Sequence, residues 1–442
     1  MVEQKRQIDA LIRRYFADPD SPGGSVIVIK QGEVFFQASY GLADMEHAVK
    51  NTPDTVFKMA SITKEFTAVA VLMLIHEGKV TLQDPICKHV PYYYDISKED
   101  KNTKENKNKS AISIEHLLTH TSGIIDTWDF SHRDDMTVEQ MIDLFKDQPL
   151  GFKPGEADYY SNSGYKLLGA MIENLSGISY GEFIESRIFK PLGMNNSHFG
   201  NDRKIVKNSA RGYSQTKKGY ANAEFISMAL PYAAGSLIST VKDMAKFNAA
   251  LYGDILVPQA LLQRAWTEYF LPNGESTNGG YGWRLSYYKG RKMIGGGGCI
   301  HGFRCMDIRV PEEQVYVMIF SNQERHSMIP EAMKIAAITM SEPMVEPPVF
   351  NLSEHQLADY VGKYHFEDDS YRQVIVEGGV LKTLREESYK VEVRPYAIDK
   401  FIDYEGTHDM IFERDDSGTV ITAFIGPREG FLGGSGKGVR VE

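Results

Sequence analysis

Cysteine is scarce in this chain: Cys87, Cys299 and Cys305 are the only three in 442 residues. They have no metal-ligand spacing and an odd number cannot all pair, which excludes a disulfide-built scaffold and a cysteine metal centre. The pattern fits a reduced interior, with Cys299 and Cys305 near enough in sequence to leave one disulfide open. Long apolar runs are absent too. The longest, Phe66 to Ile75, is about half of the ~20 residues that a membrane helix needs. Positive charge is in deficit, with 49 Lys and Arg against 59 Asp and Glu and a net charge of −10. The basic residues are scattered, which argues against nucleic acid and anionic membrane surfaces as partners. The first twenty residues lack the apolar core of a signal peptide and read as an amphipathic helix through Ile8, Leu11, Ile12, Tyr15 and Phe16. The expected location is the cytoplasm.

What is present is ordinary globular composition, with 42% hydrophobic and 11% aromatic residues, enough for a large core and more than one domain. Two strand-like runs, Ser25 to Lys30 and Glu33 to Tyr40, read as a β-hairpin. A helical, loop-rich stretch follows, with its clearest helices at Ile112 to His120, Thr137 to Asp147, Asn162 to Ser176, Tyr180 to Lys190 and Val241 to Tyr252. Strand character returns at Trp283 to Tyr288, Arg291 to Ile294, Phe303 to Val310 and Val315 to Ser321, before a last helix at Ile329 to Met340. Strands at both ends of a helical middle predict an α+β domain: one antiparallel sheet flanked by helices, closed by the two ends of residues 1–341, with a large helical insertion. The polar segment Ser97 to Lys109 reads as a mobile surface insertion. Residues 342–350, with Pro343, Pro347 and Pro348, read as a linker. Residues 351–442 hold seven short strand-like runs with turns between them and predict a small all-β barrel or sandwich.

The chemistry begins at Ser61, Ile62, Thr63, Lys64. An i, i+3 spacing puts a serine hydroxyl and a lysine amine on one helix face, a nucleophile beside its base. The tetrapeptide alone is weak, since Ser163/Lys166, Ser214/Lys217, Ser239/Lys242 and Ser286/Lys289 share it. Ser61 differs because the apolar run from Phe66 follows directly, although a simple helix cap is the competing reading. Tyr160, Ser161, Asn162 open a second helix; a tyrosine can relay a proton and an asparagine can hold a lysine amine and a substrate amide. The plainer alternative is that Tyr160 packs and Asn162 caps, and Tyr220 starts a second Tyr-x-Asn. Gly295 to Gly298, then Cys299, Ile300, His301, Gly302 and Phe303, read as a glycine-lined strand edge for an acyl group, or as a loop.

Phe57, Ala60, Ser61, Thr63, Lys64, Phe66 and Thr67, then Leu117, Leu118, His120, Thr121, Ser122 and Gly123, then Tyr160, Ser161, Asn162, Gly164 and Tyr165, then Gly302 and Phe303 follow one another in this order. In this the chain resembles the serine β-lactamase and penicillin-binding protein superfamily, closest to the class C-like branch of D-aminopeptidases, alkaline D-peptidases and esterases, over about residues 20 to 340. The resemblance implies a β-lactamase-like fold and a serine hydrolase acting on a small-molecule or peptide substrate, with no metal and no cofactor. It implies Ser61 as the acylated nucleophile, Lys64 as its partner and Tyr160 as general base and acid. Asn162 would orient Lys64 and the substrate, and the N–H groups of Ser61 and Cys299 would form the oxyanion hole, with Gly298 in the third motif; His301 reads as reaching the cleft or, more simply, as a loop residue. The run Leu117 to Gly123 would be structural, with no catalytic role for His120. The carboxy-terminal part resembles lipocalin-like barrels appended to peptidases of this branch, and the sequence leaves a homo-oligomer open. One departure stands out. The third motif falls on Gly296, Gly297, Gly298, where the superfamily usually opens with a cationic or aromatic side chain. Lacking that cation, the site is expected to favour neutral amides or esters over free acids and penicillins, as in a D-stereospecific peptidase, amidase or esterase; the alternatives are a penicillin-binding or ligand-sensing module with little turnover, or a β-lactamase or D-Ala-D-Ala carboxypeptidase.

Overall fold

The computed structural model describes residues 1–94, 104–126, 136–324, 327–345, 347–348, 350–367, 369–385, 390–431 and 435–441. Its principal sheet has six strands in the order Arg284–Tyr288, Arg291–Ile300, Phe303–Val310, Val315–Ser321, Gly24–Lys30, Glu33–Tyr40. The strand nearest the amino terminus thus pairs antiparallel with one nearly three hundred residues later, Gly24 opposite Ser321 and Lys30 opposite Val315. Gly24–Lys30 and Val315–Ser321 are buried almost throughout, which is why they read as continuous apolar runs with no alternation. The Ile329–Thr339 helix packs on Phe303–Val310 and Val315–Ser321, and the Val241–Ala250 helix on Val315–Ser321 and Gly24–Lys30. Between Tyr40 and Arg284 the described residues form the inserted part, mostly helices and loops with three small sheets among them.

At its heart is the Thr63–His76 helix, buried from Thr63 to Leu74. A helix apolar all round has no solvent face and must be core. Each of Val69, Val71, Leu72 and Leu74, fully buried, contributes about 1.5–3 kcal/mol of transfer free energy. The side chains at its first turn are therefore held by a rigid element.

Two strands are longer or more numerous than composition suggested. Arg291–Ile300 runs unbroken through four glycines, although glycine weakens strands. Pairing from Ile294 opposite Arg309 to Ile300 opposite Phe303 holds it straight. The same register places Gly298 opposite Cys305 and Cys299 opposite Arg304. Successive residues point to opposite faces, so Cys299 and Cys305 face away from each other. All three cysteines are free thiols, which settles the open disulfide. In the polar insertion, residues 97–103 lie outside the described residues, whereas Lys104–Ser110 is helical and Lys109 is anchored on the Lys146 carbonyl.

The chain divides into two compact units, residues 1–285 with 293–341 and residues 286–292 with 342–442. The second carries a closed barrel of eight antiparallel strands from Gly362–Phe366 to Gly436–Arg440. Closure is made by the last strand pairing with the first, Tyr364 opposite Arg440 and Phe366 opposite Gly438. This eighth strand is glycine-rich and gave no strand signal. A side chain at Gly438 would lie 2.6 Å from the Phe366 ring, so the glycine is what lets the barrel close. Tyr364, Phe401, Phe412, Val374 and Leu381 fill the interior. Among the described residues no helix is long and apolar enough to cross a membrane.

Candidate active site

Ser61 does not cap the helix it precedes. It lies in a single 3-10 turn, Ala60–Ile62, and the helix begins after Ile62 without any side-chain cap. Ala60 enters that turn with φ of +45°, a conformation that costs a non-glycine residue about 1–3 kcal/mol. The turn aims Ser61 at solvent while Lys64, 2% exposed, stays inside. Lys64 Nζ lies 3.2 Å from Ser61 Oγ, 2.8 Å from Asn162 Oδ1 and 2.9 Å from the Ala234 carbonyl. Three acceptors match the three N–H bonds of an ammonium, and the amine also sits 4.7 Å from the centre of the Tyr160 ring.

The second motif resolves the cap question in the other direction. Ser161 is the N-cap of the Asn162–Ser176 helix, accepting from the Gly164 N–H, which frees the Asn162 side chain to face Lys64. Asp126, which no sequence pattern singled out, locks this helix start. Its two oxygens accept from Ser161 Oγ, from the Asn162 N–H and Nδ2, and from the Ser163 N–H, at 2.8–3.2 Å. His120 also has a defined place. Its Nδ1 accepts the Ser161 N–H at 3.1 Å and its ring lies 4.6 Å from Tyr160. Burial holds the imidazole well below its ordinary pKa, as an accepting nitrogen requires. His120 is thus a support behind Tyr160, consistent with a structural run.

The glycine strand closes the third side. A Cβ at Gly298 would lie 2.3 Å from the Met59 carbonyl oxygen and 2.5 Å from Cys305 Sγ. No side chain fits there, so the strand backbone lies directly against the turn that carries Ser61. Cys299, next along, faces the opposite side of the strand from Gly298 and is exposed. His301 is at the following turn and lines the main cavity.

Two cavities meet at this point, and Ser61, Tyr160 and Gly297 line both. The larger, about 650 Å³, runs past Asn162, Lys166, Ile226, Leu230, Cys299 and Arg304. The smaller, about 210 Å³, is bounded by Lys64, His120, Trp283, Arg284 and Gly296.

The sequence profile of the Beta-lactamase family matches residues 8–339. The chain belongs to that family. Among its relatives, Penicillin-binding protein 4* of Bacillus subtilis (strain 168) is 29% identical over 383 residues, 80% of this chain and 82% of the relative. The octameric penicillin-binding protein homologue from Pyrococcus abyssi superposes with a TM-score of 0.69 at 25% identity, covering 98% of this chain and 99% of that one. D-amino acid amidase from Ochrobactrum anthropi SV3, complexed with D-phenylalanine, has a TM-score of 0.62 at 25% identity, covering 73% and 92%. The fold is that of the serine β-lactamase and penicillin-binding protein superfamily.

Within this Beta-lactamase family member the bare third motif acquires a physical explanation. Gly296 donates its N–H to Asp307 Oδ1 at 2.9 Å, and a Cβ there would lie 3.2 Å from Glu65 Oε1. Arg309 bonds both carboxylates, Glu65 at 3.1 Å and Asp307 at 2.7 Å, with all three side chains fully buried. Burial, then the Asp307 charge, pushes the Glu65 carboxyl well above its usual range. The space beneath Gly296 is occupied by this cluster. A cation still faces the smaller cavity: Arg284, on the neighbouring strand, lines it beside Gly296 and Gly297 and donates Nη1 to the Thr277 carbonyl. The third motif itself lacks a cation, and Arg284 places a positive charge on the same cavity from the adjacent strand.

Proposed function

We propose that the protein is a serine hydrolase that cleaves amides or esters through a Ser61 acyl-enzyme, its substrates being D-aminoacyl peptides, amides or esters. The observation that carries this reading is Ser61 Oγ at 3.2 Å from a lysine amine where two cavities join. Ser61 Oγ attacks the carbonyl carbon; the Tyr160 and Lys64 pair takes its proton and passes it to the leaving nitrogen or oxygen as that bond breaks. The N–H groups of Ser61 and Cys299 hold the oxyanion, and water then releases the acid by the reverse sequence. Similarity to a D-amino acid amidase supports the stereochemical part of the proposal.

A fluorophosphonate probe is expected to label Ser61 and none of Ser163, Ser214, Ser239 or Ser286, as read by intact mass and peptide mapping. Adduct elsewhere with Ser61 unmodified would sink the assignment, while a p-nitrophenyl ester that leaves its acyl group on Ser61 without hydrolysis would mark a penicillin-binding module instead. Arg284 sets a second expectation. A hydrogen bond to a charged group contributes about 1.5–3 kcal/mol, so Arg284→Gln should lower kcat/KM for a peptide ending in a free carboxylate roughly ten- to a hundredfold relative to its amide. Equal losses on the matched acid and amide would show that Arg284 does not meet the substrate charge.

A further inference from the structure

The larger cavity holds positive charge that the reaction chemistry does not use. Lys166 lies four residues after Asn162 on the same helix, so it shares the face that carries the amide touching Lys64. It is partly buried in the wall of the cavity that Ser61 opens into. Among the described residues its amine has no hydrogen bond and no ion pair, and burial pulls it down to about 8. Asp126 attracts it but is not a direct partner, because its oxygens are taken up by the start of the helix. Glu324, the other carboxylate on this cavity, accepts from the Gly302 N–H and the Ser214 hydroxyl. Arg304 lines the same cavity with a buried Nε that has no partner among the described residues. The lining of the same cavity also includes the apolar side chains of Leu144, Ile226, Leu230 and Pro231.

We propose that Lys166 forms an anion-binding subsite in the larger cavity, which takes a carboxylate or phosphate group carried on the acyl part of the substrate and separated from the scissile bond by an apolar spacer. The proposal rests on Ser61 being the nucleophile. A cation taken out of water with no direct ion-pair partner is only partly compensated by the charge of Asp126 nearby, and an anionic ligand in contact with it recovers part of the loss. The apolar lining adds a favourable path for a methylene chain and gives a neutral acyl group some affinity as well. Lys166 therefore acts on selectivity between acyl groups more than on acyl transfer itself, and Arg304 adds a second positive charge to the same space.

The test uses three p-nitrophenyl esters of equal chain length: hexanoate, the mono-ester of adipate, and the analogue ending in a phosphonate. In wild-type protein kcat/KM for the anionic esters should exceed that for hexanoate at least tenfold, and the carboxylate and phosphonate arms show which anion is preferred. In Lys166→Met the ratio should collapse towards one, and in Lys166→Arg it should persist. A purely structural lysine would lower all three rates together and leave the ratio unmoved. A wild-type ratio of one or below, or a ratio that survives Lys166→Met, overturns the proposal, and the wild-type measurement stands even if that variant fails to fold. Binding of 6-amino-6-oxohexanoate against hexanamide to Ser61→Ala, read by calorimetry, tests the subsite without turnover. Tight binding of the anion with no ester cleaved would defeat the hydrolase reading alone; equal binding of the two would defeat the subsite alone.

Discussion

Lys64→Ala and Tyr160→Phe are each expected to lower kcat by about a hundredfold or more, the usual scale for a positioned proton-transfer group, and the double variant should be scarcely worse than either. The reason is geometric. The Lys64 amine is committed to Ser61 Oγ, Asn162 Oδ1 and the Ala234 carbonyl, while Tyr160, 38% exposed, faces both cavities with its ring against that amine. In the proposed mechanism a proton leaving Ser61 passes through one assembly made of both side chains, and groups that act as a unit give non-additive losses. Lys64→Ala also strips Asn162 Oδ1 and the Ala234 carbonyl of a donor, at about 1–3 kcal/mol of stability. The rates should therefore be compared at a temperature where all four proteins are shown by circular dichroism to be folded. Fully multiplicative losses would mean that the two residues serve separate steps.

The largest effect on stability is expected from Arg309→Met. Arg309 is fully buried between Glu65 and Asp307, and its guanidinium lies 5.4–5.9 Å from the ring centres of Trp266, Trp283 and Tyr316. Removing one partner of a buried ionic cluster typically costs about 3–5 kcal/mol. The sign of the pH dependence follows from Glu65, whose folded-state pKa lies above its unfolded value. Above the ordinary carboxylate range the unfolded chain releases a proton that the folded chain keeps, so stability falls as pH rises towards the folded value. Loss of Arg309 raises the folded value further, so the deficit should grow with pH and shrink in acid, and Glu65→Gln should restore part of it. Urea melts at several pH values check this; a deficit independent of pH would point to lost packing alone. Because Asp307 also accepts the Gly296 N–H, Arg309→Met should impair turnover even below its melting range.

The parts of this site that were legible in the chain are those encoded over short spans. Ser61 and Lys64 are three residues apart and meet because a helix turn brings them together. Tyr160 and Asn162 were readable for the same reason, although the capping role fell to Ser161. The remainder depends on contacts that no local pattern carries. Arg309 and Glu65 are 244 residues apart, and Asp126 and Asn162 are 36 apart. Lys166 was visible only as part of a competing Ser-x-x-Lys pair, and nothing in that pattern told which way its side chain turns. Gly296 shows the limit most sharply. A missing side chain reads as a missing charge, yet Arg284 faces the cavity from the adjacent strand. The fold was readable for the opposite reason: apolar strands at both ends and a helix without a polar face leave few arrangements that bury them. Gly436 to Arg440 was hidden, because close approach selects glycine there in place of β-branched residues, Gly295 to Ile300 left strand and loop both open, and short strands of the insertion such as Tyr213–Thr216 and Leu237–Ser239 gave no signal of their own.

The closed barrel of the second unit has a consequence for self-association. With Gly362–Phe366 paired to both Tyr371–Glu377 and Gly436–Arg440, the circle of ladders has no first or last member. Among the described strands a neighbouring chain finds no free sheet edge on which to extend the barrel, the route by which open sheets merge into aggregates. Any contact made by this unit must be written in outward side chains such as Ile421, Phe424 and Val439, which are exposed. Such a contact can be strengthened or erased by single surface substitutions, while the hydrogen-bonded frame beneath is left intact.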